Sequence, residues 1–518
     1  MKNKNHEILV SRGLLHKYNC INNIIITMDP WRHLKNLNKS QITELQNKKL
    51  RDFIRHYVYP FSPHYRKIFD DNKIDPESIK TADDLRRVPF ISKKDFLENE
   101  TKFRDCVLQP DAQKIKKFWN ASRLTKFIFE RTFKGKEYVE HKLGFEFRPV
   151  FMTFTGGTTN QPVVFLYTNY DIQNLHTSGA RMVNLFDIKP DERIVNIFPY
   201  APHLAFWQVV FGAFASNVMA LSTGGGKTIG TEGNIKALLR MKPSVVMGVP
   251  SYVYHVFRTA REQGCKMDFV KKVVLGAARV TVAFKQKLAE IIEGMGARDV
   301  AIFGTYGFTE ARCAWAESPS PLDVSSGYHL YPDKEIFEVI DPETGEVKKE
   351  GEDGELVYTG LDARGSVMLR YRTGDFVKGG ITYAPSKYSR LSVPRISSDI
   401  TRLSDVKDLQ FSKVKGALMN FSVFPALFSE IKAIDEWQIE LKKRNNDPFD
   451  MDEMVIYATI KNHNNPDKLK EEIKSRMVAV TEVSPNEIHF IGMDEMVKRL
   501  ELETANKERR ILDNRPKS

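Results

Sequence analysis

The stretch that decides the fold runs from Val245 to Phe303. It reads Val245-Val246-Met247, Ser251 to Gln263, Val273-Val274-Leu275, Thr281 to Glu293 and Val300-Ala301-Ile302-Phe303. Short β-branched runs alternate here with helical patterns. Ser251 and Thr281 are the expected N-caps of the two helices, and Gly264 the stop of the first. Such alternation predicts a mainly parallel sheet covered by helices, with Ile194 to Ile197 as an earlier strand. On the C-terminal side, Ile336 to Ile340 and Glu355 to Thr359 flank the turn Asp341-Pro342-Glu343-Thr344-Gly345 and predict a hairpin.

Outward from this centre the character changes. Before about residue 110, Ile42, Leu45, Leu50, Phe53, Ile54 and Val58 recur at near-helical spacing after Lys39-Ser40, which predicts a helical segment without chemistry. After a break near residue 400, a strand at Val455 to Ile460, a helix opened by Asn465-Pro466 with Leu469, Ile473 and Met477 inward, and a strand at Glu487 to Ile491 predict a small α/β unit. The expected division is 1–402 and 403–518. The 518 residues exceed what one binding module needs. With 42% hydrophobic and 28% charged residues and a mean hydropathy of −0.38, the chain is neither largely disordered nor fibrous. No apolar run is long enough for a signal-peptide core or a membrane span, so a soluble cytoplasmic protein without a membrane partner is expected. Cys20, Cys106, Cys265 and Cys313 are too scattered for a disulfide framework or a paired-cysteine zinc site. The net charge of +12 is spread along the chain, which reads as a basic surface rather than a nucleic-acid site.

Three segments can carry chemistry. Thr153-Phe154-Thr155-Gly156-Gly157-Thr158-Thr159-Asn160-Gln161-Pro162 combines small residues with hydroxyls, which a polyphosphate needs from a cradling loop, and also suits a plain hairpin. It lacks the lysine and following helix of a Walker loop. Phe303-Gly304-Thr305-Tyr306-Gly307-Phe308-Thr309-Glu310 is expected to leave a strand end, the edge where open α/β sheets bind ligands. Glu310 there could hold Mg²⁺ and Tyr306 stack on a base, or the segment is a glycine-rich strand exit. Leu369-Arg370-Tyr371-Arg372-Thr373-Gly374-Asp375 offers a carboxylate after a tight turn, able to accept two ribose hydroxyls or to be only a turn.

In this order and spacing the three segments resemble the adenylate-forming superfamily of acyl-CoA synthetases, adenylation domains and luciferases. Gly327-Tyr328-His329-Leu330-Tyr331-Pro332-Asp333, Gly354-Glu355-Leu356-Val357-Tyr358-Thr359 and Pro394-Arg395-Ile396 are similar to the phenylacetate–CoA ligase branch. The resemblance implies a large AMP-binding domain with a mobile C-terminal lid. It implies that Thr155, Gly156, Gly157, Thr158 and Thr159 wrap the ATP phosphates and that Gly276 and Ala277 border adenine. Tyr306, with Gly307 and Thr309 beside it, would stack near the base. Glu310 would bind Mg²⁺, and Asp375 and Arg402 the ribose. In the closing segment Asn506 to Arg515, Lys507 would be the catalytic lysine. The substrates implied are a small carboxylic acid of the aryl or arylacetic class, with ATP and CoA, and a homodimer is the assembly considered.

Departures from the branch are equally specific. Asn160 and Gln161 stand where a glycine and a basic residue are usual in the loop. Where branch members often hold zinc through cysteines and a histidine, this chain has Ser318, His329, Ser386 and Ser389, and a hydroxyl stays protonated where a thiolate would bind. Zinc is therefore not expected. Asp405 is the expected hinge pivot. Competing readings are an adenylyltransferase acting on a deazaflavin cofactor, an acyl-protein synthetase, and an inactive nucleotide-binding scaffold, which retention of Glu310, Asp375 and Lys507 disfavours.

Overall fold

The computed structural model describes residues 34–98, 102–155, 163–389, 391–403, 412–414, 417–419, 421–446, 451–461, 465–481, 483–504 and 508–515. After α1 (Lys39–Phe53) and the short strand β1 (Ile91–Ser92), two helices, α2 (Ala121–Lys134) and α3 (Lys136–Phe147), lead into the antiparallel hairpin β2 (Pro149–Phe154) and β3 (Val164–Thr168). Then α4 (Asn169–Leu185), β4 (Arg193–Asn196), α5 (Leu204–Ala215), β5 (Met219–Ser222), α6 (Gly226–Met241), β6 (Val245–Gly248), α7 (Pro250–Glu262), β7 (Lys272–Leu275), α8 (Val282–Glu293) and β8 (Ala301–Phe308) alternate. The five strands β4 to β8 pair in parallel in the order β5-β4-β6-β7-β8. Every residue of β6 is buried, as expected of a strand covered by helices on both faces.

This sheet continues antiparallel through β9 (Cys313–Ala316) and β10 (Tyr328–His329). A second sheet is built from β11 (Glu335–Ile340), β12 (Gly354–Gly360) and β13 (Tyr371–Val377), with β1 at one edge. β14 (Ile381–Thr382) and β15 (Arg395–Ile396) close the first sheet, and β16 (Ile400–Arg402) pairs with β13. The short pair β17 (Ser412–Val414) and β18 (Ala417–Met419) follows. The last part holds β19 (Ile434–Lys443), β20 (Asp452–Ile460), α9 (Pro466–Thr481), β21 (Glu487–Phe490), α10 (Met493–Arg499) and β22 (Ile511–Asp513), in sheet order β21-β20-β19-β22. Its own core runs from Phe421 to Ile488, while Met496, Leu500 and Leu502 pack into the large core instead.

Several boundaries move from their sequence positions, for local reasons. Pro250 occupies the first turn of α7 with Val249 as N-cap, so Ser251 lies inside the helix. Asn38 caps α1 through a reciprocal pair with Gln41, one residue before Lys39-Ser40. Thr281 caps α8 as expected, accepting from the Phe284 amide. The strand expected to end at Phe303 continues to Phe308, because Thr305 to Phe308 pair with β9.

Candidate active site

Extension of β8 carries Tyr306 toward β13 and delivers Glu310 in the short turn Thr309–Ala311. Asp375, expected after a tight turn, lies inside β13, where Gly374 at φ +70° turns the strand at an irregularity in the β12 register. The two strands belong to different sheets, and each gives a tyrosine to the other's carboxylate. The Tyr306 hydroxyl donates to Asp375 Oδ2 at 2.7 Å, and the Tyr371 hydroxyl donates to Glu310 Oε1 at 2.6 Å. Burial, reinforced by the neighbouring carboxylate, holds both phenols well above their ordinary pKa, so they remain donors. Glu310 and Asp375 are themselves buried.

Register places Arg402 opposite Asp375, and its Nε lies 3.0 Å from Asp375 Oδ1 while its Nη1 donates to the Thr373 carbonyl at 2.8 Å. The charge of Asp375 keeps the guanidinium above its ordinary pKa. One flank of this group is the turn after β7. Gly276 sits where an added Cβ would stand 2.4 Å from Thr305 Oγ1 and 3.3 Å from the Phe198 ring, and Ala277 follows at φ +67°. A left-handed alanine beside a site is stored strain of the order of 1 kcal/mol. Gly307 lies exposed in the strand and Thr309 in the turn that presents Glu310.

Thr155 is buried and joins the ends of the segment it opens. Its amide donates to the Val163 carbonyl at 2.9 Å, and its hydroxyl accepts from the Val163 amide at 3.0 Å. Gly156, Gly157, Thr158, Thr159, Asn160 and Gln161 lie outside the described residues, as do Lys507 and Asp405. The hairpin reading of this segment is therefore correct for its arms, which pair antiparallel. β2 also touches the aromatic segment: the Phe154 amide donates to the Pro202 carbonyl at 2.8 Å, and His203 Nδ1 lies 3.3 Å from the Phe154 carbonyl. There Phe206 and Trp207 contact Tyr200 with ring centroids 5.3 and 6.1 Å away, and Phe151 contacts Trp207 at 5.3 Å. Sequence reasoning missed Phe151, His203 and the role of Tyr371.

A buried carboxylate fixed through one oxygen can offer the other to Mg²⁺, so Glu310 fits that cation. The serine cluster does not fit zinc. His329 is fully buried between the Ala316 carbonyl, 3.2 Å from Nδ1, and the Ser389 hydroxyl, 3.2 Å from Nε2. Ser386 Oγ accepts from the Ser389 amide, and burial lowers the imidazole pKa to about 4. These residues join by hydrogen bonds among themselves, without a thiolate.

Residues 72–372 match the AMP-binding enzyme family. The chain belongs to that family. It is 24% identical over 496 residues to a phenylacetate–coenzyme A ligase of Aromatoleum evansii, covering 93% of this chain and 97% of that one. To the phenylacetate–coenzyme A ligase of Thermus thermophilus it is 26% identical over 344 residues, 66% of each chain. A 2-hydroxyisobutyryl-CoA ligase structure in its postadenylation state shares the fold with a TM-score of 0.71 at 17% identity, covering 93% of this chain and 91% of that one. The chain is thus a phenylacetate–CoA ligase-like member of the adenylate-forming superfamily, in the class of AMP-forming acid–CoA ligases.

Proposed function

We propose that this enzyme joins an aryl or arylacetic acid to CoA through an acyl-adenylate. The exchange of tyrosines between β8 and β13 is the observation that supports the reading, because it holds in fixed positions the two carboxylates that this reading assigns to the ribose and the cation. In the first half-reaction the acid's carboxylate oxygen attacks the α-phosphate and pyrophosphate leaves. In the second the CoA thiol, losing its proton, attacks the acyl carbon and AMP leaves. Asp375, steadied by Tyr306 and Arg402, accepts the ribose hydroxyls. Gly276 and Ala277 border the adenine, and Thr155 to Thr159 donate to the phosphates. Glu310, aimed by Tyr371, would hold Mg²⁺, whose charge offsets that developing on the phosphates. Lys507, carried by a lid that begins at residue 403, adds a cation in the first half-reaction only, and the lid turns for the second.

The aromatic cluster of Phe151, Tyr200, Phe206 and Trp207 supports an aromatic acid. Among the described residues Cys106, Cys265 and Cys313 form no disulfide, which suits a reducing cytoplasm. A pyrophosphate-exchange panel over aryl, short-chain and fatty acids, with AMP release measured with and without CoA, tests the reading. Aryl acids should give the highest exchange, and CoA should release AMP. Exchange without CoA-dependent release would overturn CoA as acceptor.

A further inference from the structure

The helical hairpin of α2 and α3 presents its apolar side outward, contrary to the usual arrangement. Leu124, Phe127 and Glu130 form the inward side of α2, with the Phe127 ring 5.8 Å from that of Trp119 and Glu130 tied to Lys142 at 2.6 Å. One turn round the helix, Ile128, Phe129 and Phe133 are 61%, 56% and 72% exposed, and the two phenylalanine rings lie 4.3 Å apart. Tyr138, just past the Gly135 turn, is 40% exposed, and every residue from Arg131 to Tyr138 is exposed. Beyond the chain neighbours, no heavy atom of the described residues lies within 4 Å of a Cβ placed at Gly135, so this tip stands open. Exposed Lys126 and Arg131 border the apolar stripe on its two sides, and Lys134 and Lys136 cap its end.

We propose that this tip is a docking surface for an anionic lipid bilayer. Between Asp111 and Arg148 there are ten Lys and Arg against five Asp and Glu. An open apolar ridge fringed by lysine and arginine is what settles into the headgroup region, with rings below and ammonium groups at the phosphates. The same charges argue against a second copy as occupant, since a two-fold contact would set Lys126, Arg131, Lys134 and Lys136 against themselves. Among the described residues no helix is long and apolar enough to cross a membrane. A helix lying on the surface needs no such length. The hairpin continues through Arg148 into β2, so docking would hold the phosphate-loop arm near the bilayer. The proposal does not depend on which acid is activated.

The test is co-sedimentation of the full chain with vesicles of phosphatidylcholine alone or mixed with phosphatidylserine, across a salt series. Binding should appear with the anionic vesicles and weaken as salt rises. F129S/F133S and K126E/R131E should each lower the bound fraction by about tenfold or more while pyrophosphate exchange in solution and the melting temperature stay near wild type. Absence of anionic-vesicle binding at low salt, or F129S/F133S binding like wild type, would overturn the proposal. So would light scattering that shows a dimer lost in F129S/F133S without any vesicle binding, which would assign the ridge to a second copy.

Discussion

Tyr371 matters because it is the only described neighbour whose hydroxyl is shown to fix Glu310, and that contact is 61 residues away in sequence. Tyr371→Phe removes one hydrogen bond to a carboxylate, a loss of about 1.5–3 kcal/mol. Pyrophosphate exchange should fall about ten- to a hundredfold, and the Mg²⁺ concentration for half-maximal rate should rise, read from a Mg²⁺ titration. Glu310→Ala should be worse and not recover with added Mg²⁺. An unchanged titration in both variants would remove Glu310 from the cation site. His329 gives a pH prediction of definite sign. Its folded pKa of about 4 lies below the ordinary 6.5, so on acidification the unfolded chain takes up the proton first. The contribution is full above about pH 6.5 and is lost as pH falls toward 4, roughly 3 kcal/mol in all. Melting temperature should drop over that window, and His329→Asn should flatten the drop. Glu310 and Asp375 were legible in the sequence because their short motifs travel with them. Their pairing with Tyr306 and Tyr371 was not, since only the meeting of two sheets makes these tyrosines neighbours of those carboxylates.

The turn after β7 shows what an element fixes that a residue type cannot. Gly276 is required by the Thr305 hydroxyl, which donates to the Leu275 carbonyl at 3.0 Å and fills the space of a Cβ. Gly276→Ala should cost about 1–3 kcal/mol through overpacking and raise the KM for ATP about tenfold. Thr305→Ala in the same chain removes the 2.4 Å contact and should restore most of that loss, with only the Phe198 ring, 3.3 Å away, still crowded. A double-mutant cycle on KM and melting temperature checks it, and additive losses would place the defect elsewhere. The parallel strands β4, β6 and β7 stand within a residue or two of their sequence positions because buried β-branched runs bounded by caps leave little freedom. α5 escaped notice because Leu204–Ala215 is apolar almost throughout, and a helix without a polar face has no visible period. β19 was legible but not read as a strand: Trp437, Ile439 and Leu441 alternate with Gln438, Glu440 and Lys442, the period-2 pattern of a half-buried strand.

At the scale of the whole molecule, polar contacts join the C-terminal part to helices α6, α7 and α8 of the large part. Glu503 accepts from the Thr231 amide at 3.3 Å and from its hydroxyl, and the Tyr254 hydroxyl donates to Asp435 Oδ1 at 3.1 Å. Lys287 donates to the carbonyls of Ile434 at 2.8 Å and Asp435 at 3.1 Å. Burial lowers its pKa from 10.5 to about 8. The lid rotation proposed for this enzyme would break all of these, exposing Lys287 and returning its pKa toward the ordinary value. The turned state then binds the extra proton between about pH 8 and 10.5, so raising pH through that window favours the docked arrangement. Whichever half-reaction runs in the docked arrangement should gain relative to the other as pH rises from about 8 to about 9.5, by up to roughly tenfold per pH unit from this group. Lys287→Met should remove that pH dependence of the ratio, and Glu503→Gln with Tyr254→Phe should lower the docked half-reaction at every pH. The ratio is read by comparing pyrophosphate exchange with thioester formation from a chemically made acyl-adenylate. Parallel loss of both half-reactions in these variants, with no change in their ratio, would mean that the contacts stabilise the fold and have no part in the lid's choice of position.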